Sequence, residues 1–156
     1  MSKAFTKDDG PSPAEVQRHR PPLPAGVPNY VTRRGLQALR DELAALEPVQ
    51  PGLDFHAGAP RRAELEARIA SAVLAPPPAD PGEIRFGARV SVRGESGRPR
   101  ELQIVGVDEA EPAAGLVAFV APLARALLGH RVGDVVTVRT PGGEDDLMVL
   151  AVEYKP

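Results

Sequence analysis

From residue 29 onward, apolar residues recur first with a helical period and then with a strand period. In "NYVTRRGLQALRDELAALEP", Leu36, Leu39, Leu43 and Leu46 follow at helical steps and form one stripe. Thr32 stands where an N-cap belongs, and Pro48 stops the run, so this helix should close at about Glu47. In "APRRAELEARIASAVLAP", Leu65, Ile69, Ala72 and Val73 make a second stripe, with Pro60 suited to the first turn. The intervening "PVQPGLDFHAG" holds prolines and glycines that neither helix can absorb. Two stripes joined this way predict an antiparallel helical hairpin with arms of about four turns, roughly 20–25 Å.

After "APPPADPGE" the period falls to two. "IRFGARVSVR" alternates at Phe86, Ala88, Val90 and Val92. In "RPRELQIVGVDE", Leu102 and Ile104 share one face and Val105 and Val107 the other, with Gly106 leaving a gap or a bulge. "GLVAFVA" predicts a third strand. "PLARALLGH" predicts a short helix that opens at Pro122 and closes at Gly129. "DVVTVRT" and "DLMVLAVEYK", joined across "PGGED", predict a closing hairpin. The expected fold class is therefore α+β: a short antiparallel helical hairpin, then an antiparallel sheet domain with one packed helix. Residues 1–28 read as a disordered, proline-rich tail, 29–75 as the hairpin, 76–82 as a proline-rich linker and 83–156 as the sheet domain.

Composition narrows the function classes. Lys and Arg number 19 against 21 Asp and Glu, a net charge of −2, which argues against gripping a bare nucleic-acid backbone as the main activity. Cysteine is absent, so there is no disulfide framework and no thiolate metal knuckle. "MSKAFTKDDGPSPAEVQRHRPPLP" lacks the apolar stretch of a secretory leader, and no apolar run is long enough to span a membrane. A cytoplasmic protein is expected.

Candidate chemistry is sparse. Histidines stand only at 19, 56 and 130, and no nucleophile-elbow sequence surrounds Ser71, Ser91 or Ser96. Asp54 and His56 are the only carboxylate–histidine pair in the helical connection, and they read first as an exposed turn. Glu144, Asp145 and Asp146 read as a charged hairpin tip, and "GVDEAEPAAG" as a solvated acidic loop. Arg61, Arg62 and Arg68 alternate with Glu64 and Glu66 as on an ordinary solvated helix face. The residues alone point to an interaction protein, not an enzyme.

Two stretches add more. "NYVTRRGLQALRDEL" and "APLARALLGHRVGDVVTVRTPGGEDDLMVLAVEYKP" resemble the GreA/GreB family of bacterial transcription factors, and the likeness covers residues 29–156. The opening "MSKAFTK" is similar to GreB-type members. The short reach of the hairpin is similar to that of the regulator of nucleoside diphosphate kinase. The resemblance implies an FKBP-like C-terminal domain that docks on the rim of the RNA polymerase secondary channel. It also implies a coiled coil entering that channel, whose acidic tip helps hold Mg²⁺ for hydrolysis of backtracked RNA. Pro122, Leu123 and Arg125, preceded by Val120 and Ala121, are then the polymerase-binding candidates. The implied partner is the polymerase core, with no cofactor, no sequence-specific nucleic acid, no membrane and a monomeric state.

The departures from the family shape the functional expectation. Where the family carries G-D-x-S-E-N-A-x-Y, this chain has "VQPGLDFHAG", leaving Asp54 as a lone, weak metal candidate. Asp/Asn-Ser usually precedes the docking proline, and here Val120 and Ala121 stand instead. A regulator of elongation without cleavage activity is the expectation. The alternatives are a cleavage-stimulating factor using Asp54, a peptidyl-prolyl isomerase suggested only by the fold, and a remnant with no polymerase contact.

Overall fold

The leucine stripe at residue 36 folds as its spacing predicts. In the computed structural model, which describes residues 20–46 and 59–155, β1 (Asn29–Val31) leads into α1 (Arg33–Ala45). Thr32 is the N-cap: its hydroxyl oxygen accepts the Gly35 N–H at 2.9 Å and satisfies one orphan donor of the first turn. Past the connection, α2 (Ala59–Ser71) leads into β2 (Ala72–Leu74), which pairs in parallel with β1, Tyr30 opposite Val73. That pairing sets the start of α1 beside the end of α2. The Arg61–Glu42 ion pair, at 2.5 Å, joins the other ends, so the helices run in opposite directions. Each has thirteen residues and is about 20 Å long. Leu39 and Leu65 are the fully covered members of the two stripes.

Ala72 and Val73, expected on the α2 stripe, belong instead to β2. The helix stops early because its last turn is claimed by other partners. The Asn29 side-chain amide donates to Ser71 Oγ at 3.0 Å and to the Arg68 carbonyl at 3.4 Å. The residues beyond then find their backbone partners in β1.

The second sheet has the order β5-β4-β3-β7-β6, built from β3 (Arg89–Arg93), β4 (Pro99–Val105), β5 (Leu116–Ala118), β6 (Val135–Thr140) and β7 (Gly143–Glu153). It is mixed, not antiparallel throughout: β5 runs parallel to β4, with Ile104 opposite Val117. The segment between them has no α-helix to carry a crossover, which is why an antiparallel sheet was the expectation. It reverses twice, through a turn after Gly106 and a 3₁₀ turn at Pro112–Ala114. The strand expected from residue 84 starts only at Arg89, since a turn closes with the Ala88 N–H on the Arg85 carbonyl at 3.0 Å. Thr140 pairs with Gly143 and leaves Pro141–Gly142 as a two-residue turn.

Inward-facing Val90, Val92, Leu102, Ile104, Val136, Val138, Leu147 and Val149 form the sheet side of the main core. The helix α3 (Pro122–Leu127) covers it with Ala124 and Leu127. Val105 and Val107 are buried outside this cluster, at the place where β1 crosses the end of β4. There the gap foreseen at Gly106 is filled by backbone, since a Cβ on Gly106 would lie 2.5 Å from the Tyr30 carbonyl oxygen. The Tyr30 ring meets Phe86 and Phe119 at centroid distances of 5.8 and 5.7 Å, an aromatic trio beside the same junction.

Candidate functional site

The segment "APLARALLGH" owes its form to two simple devices. Pro122 starts α3 where its missing N–H costs nothing, and Gly129 follows the cap residue Leu128 in a left-handed conformation. Ala124 and Leu127 face the core, with Leu128 partly covered against it. Pro122 and Arg125 stand exposed on the opposite side. Leu123 is shared between core and surface, and Val120 and Ala121 are half-buried. Ala121 takes the N-cap position without a side-chain hydrogen bond, which is the local consequence of an alanine where a serine could cap.

The five predicted docking residues do not all face one way. Ala121, Pro122 and Leu123 line a cleft of about 820 Å³, together with Leu39 of α1 and Val138 and Leu147 of the closing hairpin. Val120 and Arg125 lie outside its lining. The cleft therefore runs between the helical pair and the sheet domain, with the start of α3 on its wall.

At one end of that cleft lies a feature that sequence reading missed. "GVDEAEPAAG" was expected to be solvated, yet the Asp108 side chain is only 4% exposed. It takes Arg20 Nε on Oδ1 at 2.6 Å and Arg68 Nη1 on the same oxygen at 3.0 Å. Arg68, expected on a solvated face, thus turns inward while still pairing with Glu64. Glu109 accepts the Thr32 hydroxyl. The signal available in the sequence was the placement of two acids directly after the buried Val107, just past the end of a buried strand, with an arginine in the last turn of α2. Residues 20–28, grouped by composition with the tail, are held at Arg20 by the same acid.

The remaining polar candidates disperse. Glu144 pairs with Arg139, Asp145 accepts the Glu95 N–H, and Asp146 accepts the Thr137 hydroxyl, so the three tip acids do not converge. His130 Nδ1 lies 3.3 Å from Asp134. The Arg131 backbone N–H, bonded to the Asp134 carboxylate, holds that acid below its ordinary range. Tyr154 donates to the Glu83 carbonyl and accepts the Arg85 N–H at 2.8 Å, pinning the end of the linker to the end of β7. Burial pushes its phenol above the usual value. Among the described residues no group of His, Cys, Asp and Glu could hold a metal, and no helix is long and apolar enough to cross a membrane. His19, Asp54 and His56 lie outside the described residues.

Known proteins resemble this chain in sequence over most of its length. The family described as "Transcription elongation factor, GreA/GreB, C-term" matches residues 78–154. Transcription elongation factor GreB of Yersinia pestis is 32% identical over 154 residues, spanning 82% of this chain and 90% of that protein. Transcription elongation factor GreA of Ralstonia nicotianae is 35% identical over 152 residues, spanning 80% and 96%. The solved GreA factor homolog 1 of Thermus thermophilus superposes with a TM-score of 0.43 at 26% identity, over 80% of this chain and 97% of that one. With relatives above 30% identity across four-fifths of its length, the chain belongs to the GreA/GreB family of transcription elongation factors.

Proposed function

We propose that this protein is a monomeric, cytoplasmic regulator of elongation that docks through α3 on the secondary-channel rim of RNA polymerase and does not stimulate transcript cleavage. In this reading the sheet with α3 on its face is the FKBP-like docking module. The α1–α2 pair is a shortened coiled coil, and the chain works as a binding protein, not as an enzyme. The observation that carries the reading is the combination of Pro122 and Arg125 exposed on α3 with helices of thirteen residues, about 20 Å long. The alignment supports it. The Yersinia GreB match runs over 154 positions, whereas 82% of 156 residues is about 128, so about 26 positions of the relative have no counterpart here. In this reading the missing positions belong to the helical pair, which then reaches less far from the docking module.

The test is competition for core polymerase against a labelled, cleavage-competent Gre factor. Displacement is expected, weakened by Pro122→Ala and by Arg125→Ala. No displacement at micromolar protein would defeat the docking reading. Backtracked complexes supply the second arm: the protein should leave their transcripts intact. Cleavage that vanishes in Asp54→Ala would replace a blocking regulator with a cleavage factor.

A further inference from the structure

We propose that Asp108 and Glu109 are positioning residues that together fix the direction in which the α1–α2 pair leaves the sheet domain, with Arg20 completing the joint. The two acids are consecutive, and each reaches a different helix. Asp108 holds the end of α2 through Arg68 Nη1 at 3.0 Å. Glu109 holds the start of α1 through the Thr32 hydroxyl, the same hydroxyl that caps the helix. Exposed Arg34 approaches the second Glu109 oxygen only to 4.0 Å and adds little.

The geometry is that of a hinge closed at two points. β1 touches the domain at one junction, where its backbone meets Gly106 and the Tyr30 ring packs on Phe86 and Phe119, and contacts gathered at one place restrain the far ends of the helices least. Bonds from neighbouring loop residues to two different helices add to that restraint. The loop itself is stiffened by the Glu109 N–H bonded to the Gly106 carbonyl at 3.1 Å. Room for the arrangement is built into α1, since a Cβ on Gly35 would sit 2.8 Å from Glu109 Oε2. Arg20 then approaches Asp108 with two nitrogens, Nε at 2.6 Å on Oδ1 and Nη2 at 3.3 Å on Oδ2. A forked contact of this kind holds orientation as well as charge. Asp108 and Glu109 carry side-chain exposures of 4% and 12%, so both act where water competes little.

The absence of native cysteine makes a direct test clean. Spin labels on Ala44→Cys, exposed near the far end of α1, and on Ser96→Cys, exposed in the turn between β3 and β4, report the angle as a distance distribution. The parent should give one narrow distribution. Asp108→Asn combined with Glu109→Gln should broaden or split it, while helix content and amide protection of the sheet stay at the parent level. A narrow, unshifted distribution in that folded double variant overturns the proposal and leaves the linker, the Gly106 contact and the Tyr30 ring on Phe86 and Phe119 as what sets the angle. Should the double variant fail to fold, Arg20→Gln and Arg68→Gln decide. Broadening in both supports the joint, and parent-like distributions in both overturn it.

The joint's consequence for transcription rests on the polymerase reading above. The variants should lose their effect on elongation while still displacing a labelled Gre factor through the outer face of α3, where Arg125 lies outside the cleft that Asp108 and Glu109 line. Failure of the parent to displace would sink that reading alone, because the distance measurement needs no polymerase.

Discussion

Replacing Gly106 with alanine should loosen the helical pair while sparing the sheet. The added Cβ would sit 2.5 Å from the Tyr30 carbonyl oxygen and 3.4 Å from the Val31 Cα. Ordinary contact begins near 3.4 Å, so β1 must retreat by about 0.9 Å. The obstacle is backbone, which has no rotamer to change. It is also locked into register with β2 through Asn29–Ala72, Tyr30–Val73 and Val31–Leu74. Overpacking of this size costs about 1–3 kcal/mol. Gly106 is not among the glycines with positive φ, so alanine also recovers about 0.4–1 kcal/mol by restricting the unfolded chain. The steric term wins, with a net loss of about 1–2 kcal/mol, or roughly a 5–30-fold rise in the opening of the affected unit. Hydrogen exchange read by mass spectrometry should show that rise in α1 and α2. The β3–β7 amides should change little, because the main cluster does not include Gly106. Gly97→Ala is the control: it imposes strain at φ +77° in open space, far from β1. The reasoning is refuted if Gly106→Ala leaves exchange in α1 and α2 unchanged, or if the sheet loses protection as much as the helices do.

Two further outcomes follow from the sheet domain. Leu127 is fully buried, so Leu127→Ala should cost about 2–5 kcal/mol by creating a cavity under α3, read as a lower midpoint in urea with an unchanged slope. It should also abolish competition for polymerase if docking needs α3 in place, whereas a variant melting like the parent would mean that α3 does not seal the core. Tyr154 gives a pH signature. Its phenol is held above the usual value near 10, so its contribution to stability is complete below that pH and is lost as pH rises through the higher folded value. Ultraviolet difference titration of the parent against Tyr154→Phe should therefore show a component ionising above pH 10. A component titrating at or below 10 would contradict the burial that causes the shift.

The parts of this fold legible in sequence are those set by neighbours along the chain. The α1 stripe, its Thr32 cap, the Pro122 start and the Gly129 stop each depend on a few local residues, and each lies where its spacing placed it. The closing hairpin lies across "PGGED" as expected, but with a tighter turn, its second strand starting already at Gly143. What misled was always a partner distant in sequence. Ala72 and Val73 continue a helical period, but β1, more than forty residues earlier, claims their backbone. The "GLVAFVA" strand reads like the return arm of a hairpin, yet two reversals bring it parallel to β4. Charge failed for the same reason. An acid run has no periodicity to mark it as buried, and Asp108 looks solvated until Arg20 and Arg68 converge on it from 88 and 40 residues away.

The docking segment shows the same division between local form and distant context. Its helix was readable residue by residue, but which of its residues are free depends on the core beneath and on the helical pair across the cleft. Leu123 is drawn toward the core, and Pro122 joins the wall of a cleft that no single segment encloses. Arg125 is the residue whose exposure owes least to either neighbour, since it lies outside both the cluster and the cleft lining. A partner that contacts Arg125 alone would be indifferent to how the helical pair is set. A partner that contacts Pro122 also reaches the wall of the cleft, which Glu109 and Arg61 of the joined elements share. If the two alanine variants differ in how strongly they respond to loosening at Asp108, the partner reads the cleft. If they respond alike, it reads the outer face of α3 and the angle of the helices matters only after docking.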